Sequence, residues 1–330
     1  MQDIADACGV SRATVSTILG GTTRRFSDQV VAQVRQAATE LGYHASRRMR
    51  RDGRMRDLIL LRGPNNYLPQ PLLRGLESVV RTHGWGLRLL SLRELEPAAT
   101  AAPAQVVGQD PIGLLVDYLT DASDSAVEWA RGLAVPQCWI NTDRGINCLL
   151  PDDQGAARAA AERFLAMGHR RLIYLGLSQH PQHCSVVERR DGFVETARQG
   201  GAQVQVLDHP IGGSSAALFG ELHRRLRRAQ RPTALMAYGR DLLVSAHAAA
   251  MSLGLSVPGQ LSISGFADQS VDLTGLRLEC WLTPWPELAA TAGQRLLAIR
   301  RDRPATDLAP KRIAYLPPRD GASVATAPVR

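Results

Sequence analysis

Lysine is almost missing from this chain of 330 residues: Lys311 stands alone against 38 arginines. With Pro310 before it and Arg312 after it, that lysine cannot belong to a phosphate-cradling P-loop. No GxGxxG follows a strand-like run, and no G-x-S-x-G elbow occurs, so neither dinucleotide chemistry nor a hydrolase nucleophile has its usual seat. Cysteine is sparse and odd in number: Cys8, Cys138, Cys148, Cys184 and Cys280 are scattered without a CxxC. That pattern excludes a disulfide framework and predicts reduced thiols in a cytosolic protein. No apolar run reaches the roughly 18 residues of a membrane span, and no signal peptide opens the chain. A cytoplasmic protein without membrane contact is expected.

What is present is arginine, unevenly placed. The net charge is +8, yet residues 1–56 hold ten Arg and five acids, which leaves only +3 for the rest. A basic front end on a nearly neutral body suggests a polyanion-binding head joined to a domain with another task. Hydrophobic content of 45% suffices for packing, and the length suits more than one domain.

Residues 3–19 spell a short amphipathic helix, the turn Gly9-Val10-Ser11, and a second short helix opening on the Ser11 cap. This is the layout of a helix-turn-helix, which sets one helix into a DNA major groove. Ile4, Ala5 and Cys8 line the inner side of the first helix. Val15, Ile18 and Leu19 face inward on the second, leaving Arg12, Ala13, Ser16 and Thr17 outward. A third helix capped by Ser27 is expected to bury Val30, Val34, Ala37, Ala38 and Leu41, ending at Gly42. Residues 44–57 form a linker with six Arg between 47 and 56.

From residue 58 onward, apolar strand-like runs alternate with amphipathic helical ones. Strands are expected at 58–61, 87–92, 114–116, 138–140, 172–175, 204–207, 235–237, 261–264 and 313–316. Helical patterns cover 71–83, 155–167, 188–199, 214–228, 241–253 and 286–301. Such alternation implies parallel sheets with helices on both faces, and the strand count exceeds one ordinary sheet.

The stretches Asp3-Ile4-Ala5, Gly9-Val10-Ser11, Ala13-Thr14-Val15-Ser16 and Glu40-Leu41-Gly42-Tyr43, at these spacings, resemble the lac-repressor (LacI/GalR) family of bacterial transcription regulators. The resemblance continues through 70–77, 153–158, 167–176, 189–193, 231–234, 257–266 and 316–318. It implies a small all-α helix-turn-helix head plus an α/β body of two periplasmic-binding-protein-like lobes with parallel sheets. The head would span 1–43, the basic hinge 44–57, and the effector-binding and dimerisation body 58–330. Lobe one would hold 58–150 and 282–304, lobe two 151–281 and 305–321, with crossings near 150, 282 and 305.

By the same resemblance Arg12, Ala13 and Thr17 would read bases, Thr14 and Ser16 would touch phosphate, and Arg25 would contact DNA from a loop. The family usually has Arg where Thr17 stands, so the usual guanine contact is lost and Arg12 is the nearest replacement. The chain enters the motif a few residues early, which places its start codon upstream. In the hinge, Met49 is the only apolar candidate for a minor-groove wedge. Alternatively Arg47 and Arg48, with Arg50 and Arg51, lie along phosphates as a disordered tether.

Ligands of open α/β sheets bind beyond the carboxyl ends of the strands. That places Asn65, Asn66 and Tyr67 in the cleft, with Ser185 and Gln182 ahead of Arg189. Arg189 matches the family's ligand-binding arginine, and Trp285 falls where an aromatic stacks on the ligand. Three departures concern charge: Asn141 stands where an acid is common, Ala267-Asp268 replaces an acidic pair, and Gly239-Arg240-Asp241 replaces Asn-Asp. Two lost acids and two arginines suit an anionic effector, a sugar phosphate or organic acid, over a neutral sugar. His180, His183 and Cys184 share a loop, read as a polar cleft edge in preference to a metal site. His169 reads as a helix end, and Arg224, Arg225, Arg227 and Arg228 as a solvated helix face.

The expectation is a transcription regulator, a repressor in sense, without enzymatic activity or cofactor, acting as a homodimer on double-stranded operator DNA. A cytoplasmic small-molecule-binding protein of the same body fold, with degenerate DNA binding, is the alternative.

Overall fold

The computed structural model describes residues 2–19, 26–40, 56–63, 68–91, 111–118, 122–178, 183–273, 275–302 and 308–328. Three short helices open the chain: α1 (Gln2–Cys8), α2 (Arg12–Leu19) and α3 (Asp28–Glu40). They close around Ile4, Ala5, Val15, Ile18, Val31, Val34 and Ala38. Val31 takes a buried place that periodicity had given to Val30, while Val30 and Ala37 are half-buried at the edge of this core. Leu41 and Gly42 lie outside the described residues. Ser27 Oγ accepts the Val30 N–H at 3.4 Å, so the predicted cap stands at the start of α3.

The first lobe is built on β1 (Asp57–Arg62), α4 (Gln70–His83), β2 (Gly86–Ser91), β3 (Gly113–Asp117), α5 (Asp124–Arg131), β4 (Gln137–Ile140) and β5 (Leu149–Pro151). Two later elements return to it, α10 (Trp285–Asp302) and β12 (Lys311–Ile313). The sheet order is β12-β5-β4-β3-β1-β2, parallel throughout. On α4, Leu72, Leu76, Val79 and Val80 repeat at the helical period and are buried against α10. Gly75 permits that approach, since a Cβ there would lie 2.8 Å from the Ala289 Cβ.

The second lobe holds α6 (Asp153–Ala166), β6 (Arg171–Ser178), α7 (Cys184–Gln199), β7 (Gln203–Pro210), α8 (Ser215–Leu226) and β8 (Ala234–Ala237). It is completed by α9 (Arg240–Ser252), β9 (Ser262–Ala267), β10 (Val271–Leu273) and β11 (Leu276–Leu282). Its sheet runs β10-β11-β9-β8-β6-β7, and only the β10–β11 pair is antiparallel. Each sheet buries apolar side chains on both faces, as parallel sheets require.

Four short elements were not expected from sequence: α5, β5, β10 and β11. The chain passes from lobe one to lobe two after β5 and back after β11, near 150 and 282 as expected. The third crossing needs correction. It falls near 314–316, not 305, because β12 still pairs with β5 of the first sheet. Beyond it, Leu316 bridges Leu282, and the tail is fastened to lobe two. The Ile263 N–H donates to the Ser323 carbonyl at 2.8 Å, and the Ala327 N–H to the Met167 carbonyl at 2.8 Å. The residues 314–316 also fail to extend β12 into the longer strand expected.

Candidate functional site

Two places carry chemistry. In the head, Arg12, Ala13 and Ser16 are exposed on α2, Thr14 and Thr17 are half-buried, and Val15 and Ile18 are fully inside. Ser11 Oγ accepts the Thr14 N–H at 3.0 Å, fixing the start of the helix. Thr17 donates its hydroxyl proton back to the Ala13 carbonyl at 2.8 Å. That proton is committed within the helix, so Thr17 presents outward only a methyl group and an acceptor. Arg25, Arg47, Arg48 and Met49 lie outside the described residues.

Between the lobes opens a cavity of about 790 Å³. Asn141, Ser185, Arg189, Arg240, Asp268 and Trp285 all line it, so six positions drawn from five different sequence stretches converge. Asn65, Asn66, Tyr67 and Gln182 lie outside the described residues, as does His180. Tyr118 and Tyr238, which sequence reasoning missed, line the same cavity, as does His183, whose loop was read as a polar cleft edge.

Arg189 is the hub. Its Nε donates to Asp153 Oδ1 at 2.6 Å, Nη1 to the Tyr238 carbonyl at 2.9 Å, and Nη2 to the Tyr315 hydroxyl at 2.7 Å. Tyr315 in turn donates to Asp153 Oδ1 at 2.7 Å. The guanidinium carbon sits 4.7 Å from the centroids of both the Tyr238 and Phe266 rings. Burial opposes the charge on Arg189, but Tyr315, Asp153 and Tyr238 outweigh it and hold the pKa well above the usual value. This revises the charge argument made from sequence. Asp153, which is 1% exposed, already balances Arg189, so that arginine brings hydrogen-bond donors to the cavity more than net charge. Arg240 is more exposed and pairs loosely with Asp241 at 3.5 Å. No side chain caps α9, whose first turn also lines the cavity.

Trp285 is a wall of the cavity and not a free platform. It is 3% exposed, packs in the lobe-one core, and its Nε1–H donates to Asp268 Oδ1 at 2.6 Å across the lobes. Trp281 is core on β11. Under the cavity, the register aligns Ser91, Arg62 and Asp117 on one face of the first sheet. Among the described residues neither buried Asp117 oxygen finds a hydrogen-bond partner, and burial lifts its pKa to about 8 against the pull of Arg62, with Asp268 adding to the rise. His169 is a structural staple: its ring nitrogens lie 2.9 Å from Thr233 Oγ1 and 2.9 Å from the Ala325 carbonyl, tying the tail to α6.

Asp153 had a signal in the sequence, since it opens one of the stretches that carried the resemblance. Tyr118 and Asp117 had none, because their neighbours are set by packing; for His183 the cleft edge was legible but its reach to Asn141 was not.

A small helical head that presents an arginine-tipped helix, on a two-lobed body with a central cleft, defines a ligand-responsive DNA-binding regulator. The comparisons agree. The family model of bacterial regulatory proteins of the lacI family matches residues 1–46, and that of the periplasmic binding protein-like domain matches 161–320. The HTH-type transcriptional regulator GntR of Pseudomonas aeruginosa is 28% identical over 311 residues, covering 91% of this chain and 88% of its own length. The ribose operon repressor of Haemophilus influenzae is 24% identical, covering 81% of each. In fold, the chain resembles a LacI-family regulator from Silicibacter pomeroyi, with a TM-score of 0.63, 20% identity and 98% of each chain covered. It also resembles the lac repressor dimer bound to operator and an anti-inducer, with a TM-score of 0.64, 18% identity and 98% of each covered. The chain joins a lacI-family helix-turn-helix domain to a periplasmic-binding-protein-like domain and is a DNA-binding transcriptional regulator of this type.

Proposed function

We propose that this regulator is a repressor that binds a pseudo-palindromic operator as a homodimer and responds to a small effector in the interlobe cleft. The observation that carries the reading is α2: Val15 and Ile18 are buried while Arg12, Ala13 and Ser16 stay exposed, on a chain whose body holds a cleft between two sheets. Arg12, Ala13 and Thr17 read bases; Thr14, Ser16 and Arg25 meet phosphate or the adjoining backbone. Residues 1–43 are the head, 44–57 the hinge and the remainder the sensor. Arg47 and Arg48 hold phosphates from the hinge, with Met49 available as a wedge.

One head reads a half-site, so the functional unit is a dimer. The effector is a sugar, sugar phosphate or organic acid, held by Asn141, Ser185, Arg189, Arg240, Asp268 and Trp285, together with Asn65, Asn66 and Tyr67. The uncapped first turn of α9 with Arg240 favours an anionic group there, and the N–H groups of Arg189 suit hydroxyls or a carboxylate. Relatives named for arabinose and ribose operons belong to the same sugar-related range. The protein acts by binding and not by catalysis, in the cytoplasm. No helix among the described residues is long and apolar enough to cross a membrane.

Selection of bound duplexes from a random library by the full-length chain tests this reading. A two-fold symmetric consensus is expected, with weaker binding in the presence of the correct member of a sugar, sugar phosphate and carboxylate panel. Failure to retain any duplex at moderate ionic strength, or a strictly monomeric chain, refutes it.

A further inference from the structure

His183 joins the two lobes at the floor of the cleft. It is the N-cap of α7, and its Nδ1 accepts the Ser185 N–H at 3.2 Å. A ring nitrogen that accepts carries no proton, so the proton is on Nε2. Nε2–H then donates to the Asn141 carbonyl, at the end of β4 in the other lobe, at 2.6 Å. Ser185 Oγ lies 2.7 Å from Nδ1 and 2.7 Å from the Tyr238 hydroxyl, which orders a chain of donors from Tyr238 through Ser185 to the imidazole. Tyr118, from the end of β3, stacks on the ring with centroids 4.8 Å apart. Both lobe-one contacts, Tyr118 and Asn141, have left-handed backbones, with φ of 46° and 53°. For a tyrosine that conformation is strained and needs its surroundings to hold it.

We propose that His183 is a proton-released latch: as a neutral imidazole it holds the lobes together, and on protonation it lets the cleft open. A proton on Nδ1 would face the Ser185 N–H, so the helix cap fails and Ser185 and Tyr238 must reverse their donor order; the Nε2–H bond to Asn141 survives protonation, and release follows from the cost of charging a ring that closure keeps 4% exposed. Other polar bonds across the lobes, Trp285 to Asp268 and Arg312 to Glu188, involve no group that titrates between about pH 5 and 8 from its ordinary value.

The groups around the imidazole set the direction. From α7 come Arg189 and Cys184, from α6 Asp153, from the β4–β5 connection Asp143, and from the ends of β3 and β8 Tyr118 and Tyr238. Burial is the largest influence and lowers the His183 pKa; the bond to the Asn141 carbonyl opposes it, as do Asp153 and Asp143, and Arg189 reinforces it. In an open cleft the ring returns to the ordinary value of about 6.5. The open form therefore binds more protons below that value. Closure is fully favoured above it and is lost as the pH falls below it. The latch acts within the cleft read above as the effector site, but its test needs neither effector nor DNA.

The test uses the free full-length chain and its His183→Asn variant. Asparagine caps a helix as well as any residue, yet is too short to span to Asn141. Amide exchange is followed over Asn141–Asn147 and Cys184–Arg189 at about pH 5.5 and 7.5, corrected for intrinsic rates, with small-angle scattering alongside. The wild type should exchange several-fold faster at the lower pH, up to about tenfold, the most that a pH one unit below the open ring's ordinary value allows, and should expand. His183→Asn should be open and fast at both. A wild type indifferent to pH, or a variant that keeps the wild-type pH response, overturns the latch. The ring itself gives a second readout in the unmutated chain, by nitrogen NMR of labelled histidine. An Nε2–H tautomer titrating below the ordinary range supports the latch, and a ring titrating at the ordinary value refutes it. Because Asp117 remains in the variant, any response that belongs to that carboxyl would survive the substitution.

Discussion

Arg312 on β12 grips Glu188 on α7 with both ends of its guanidinium, at 2.6 and 2.7 Å, and so ties the last strand of one lobe to a helix of the other. Glu188 lies one residue before Arg189, so this ion pair and the cleft hub share a turn of α7. Both partners are partly open to solvent, at 45% and 22% of the side chain, which keeps the pair's contribution modest. Arg312→Gln and Glu188→Gln should each cost under about 1 kcal/mol, the double variant should cost less than their sum, and salt should erase the difference. A double-mutant cycle in thermal unfolding at two ionic strengths measures this.

Arg163 and Glu279 form a tighter pair inside lobe two. The carboxylate is 2% exposed and receives Arg163 Nε and Nη2 at 3.0 and 2.7 Å. Removing the arginine strands a buried charge. Arg163→Ala should therefore destabilise the chain by about 3 kcal/mol, whereas Arg163→Ala with Glu279→Gln should recover part of that loss. Urea unfolding of the three chains decides it.

Asp117 makes stability depend on pH in a definite direction. Its carboxyl is neutral in the folded chain up to about pH 8 and ionises near 4 when unfolded. Between those values the folded form binds more protons, so stability is full below the carboxylate range and falls as pH rises toward 8. Asp117→Asn, which removes the ionisation, should leave stability at about pH 4 unchanged and raise it at pH 9 by more than about 1.4 kcal/mol, one pKa unit's worth. Parallel pH–stability curves for the two chains would contradict this.

On DNA, two arginines should separate by role. Arg12→Ala should cost about 1–3 kcal/mol of discrimination at one position of each half-site and relax the consensus there. Arg48→Ala should weaken all duplexes alike and flatten the dependence of binding on salt. Binding isotherms on the selected site and on a scrambled duplex at several salt concentrations separate the two outcomes.

The head was legible in the sequence because its signals are local. Ser11 and Ser27 as caps, the apolar spacing of Ile4, Val15, Ile18 and Val34, and the outward Arg12 all refer to neighbours within a turn or two. The main strands were legible for the same reason, since fully buried parallel strands read as continuous apolar runs such as Leu58–Leu61. The shorter elements β5, β10 and α5 were not. Their runs are brief, and pairing partners decide them more than composition does. Arg189 was legible as a cleft residue and Asp153 opened a stretch that carried the resemblance, but that Asp153 and Tyr315 brace Arg189 was not legible, since they come from 36 residues before and 126 after it.

Sequence alone fixed the identity of each local unit, the basic head and the alternation of strands and helices, because propensity, capping and periodicity act over a few residues. Tertiary structure alone decided where β12 belongs, how Arg189 is balanced, and that His183 reaches across to Asn141. Each of these depends on which elements come to lie side by side, and that neighbourhood is set by packing and not by spacing along the chain.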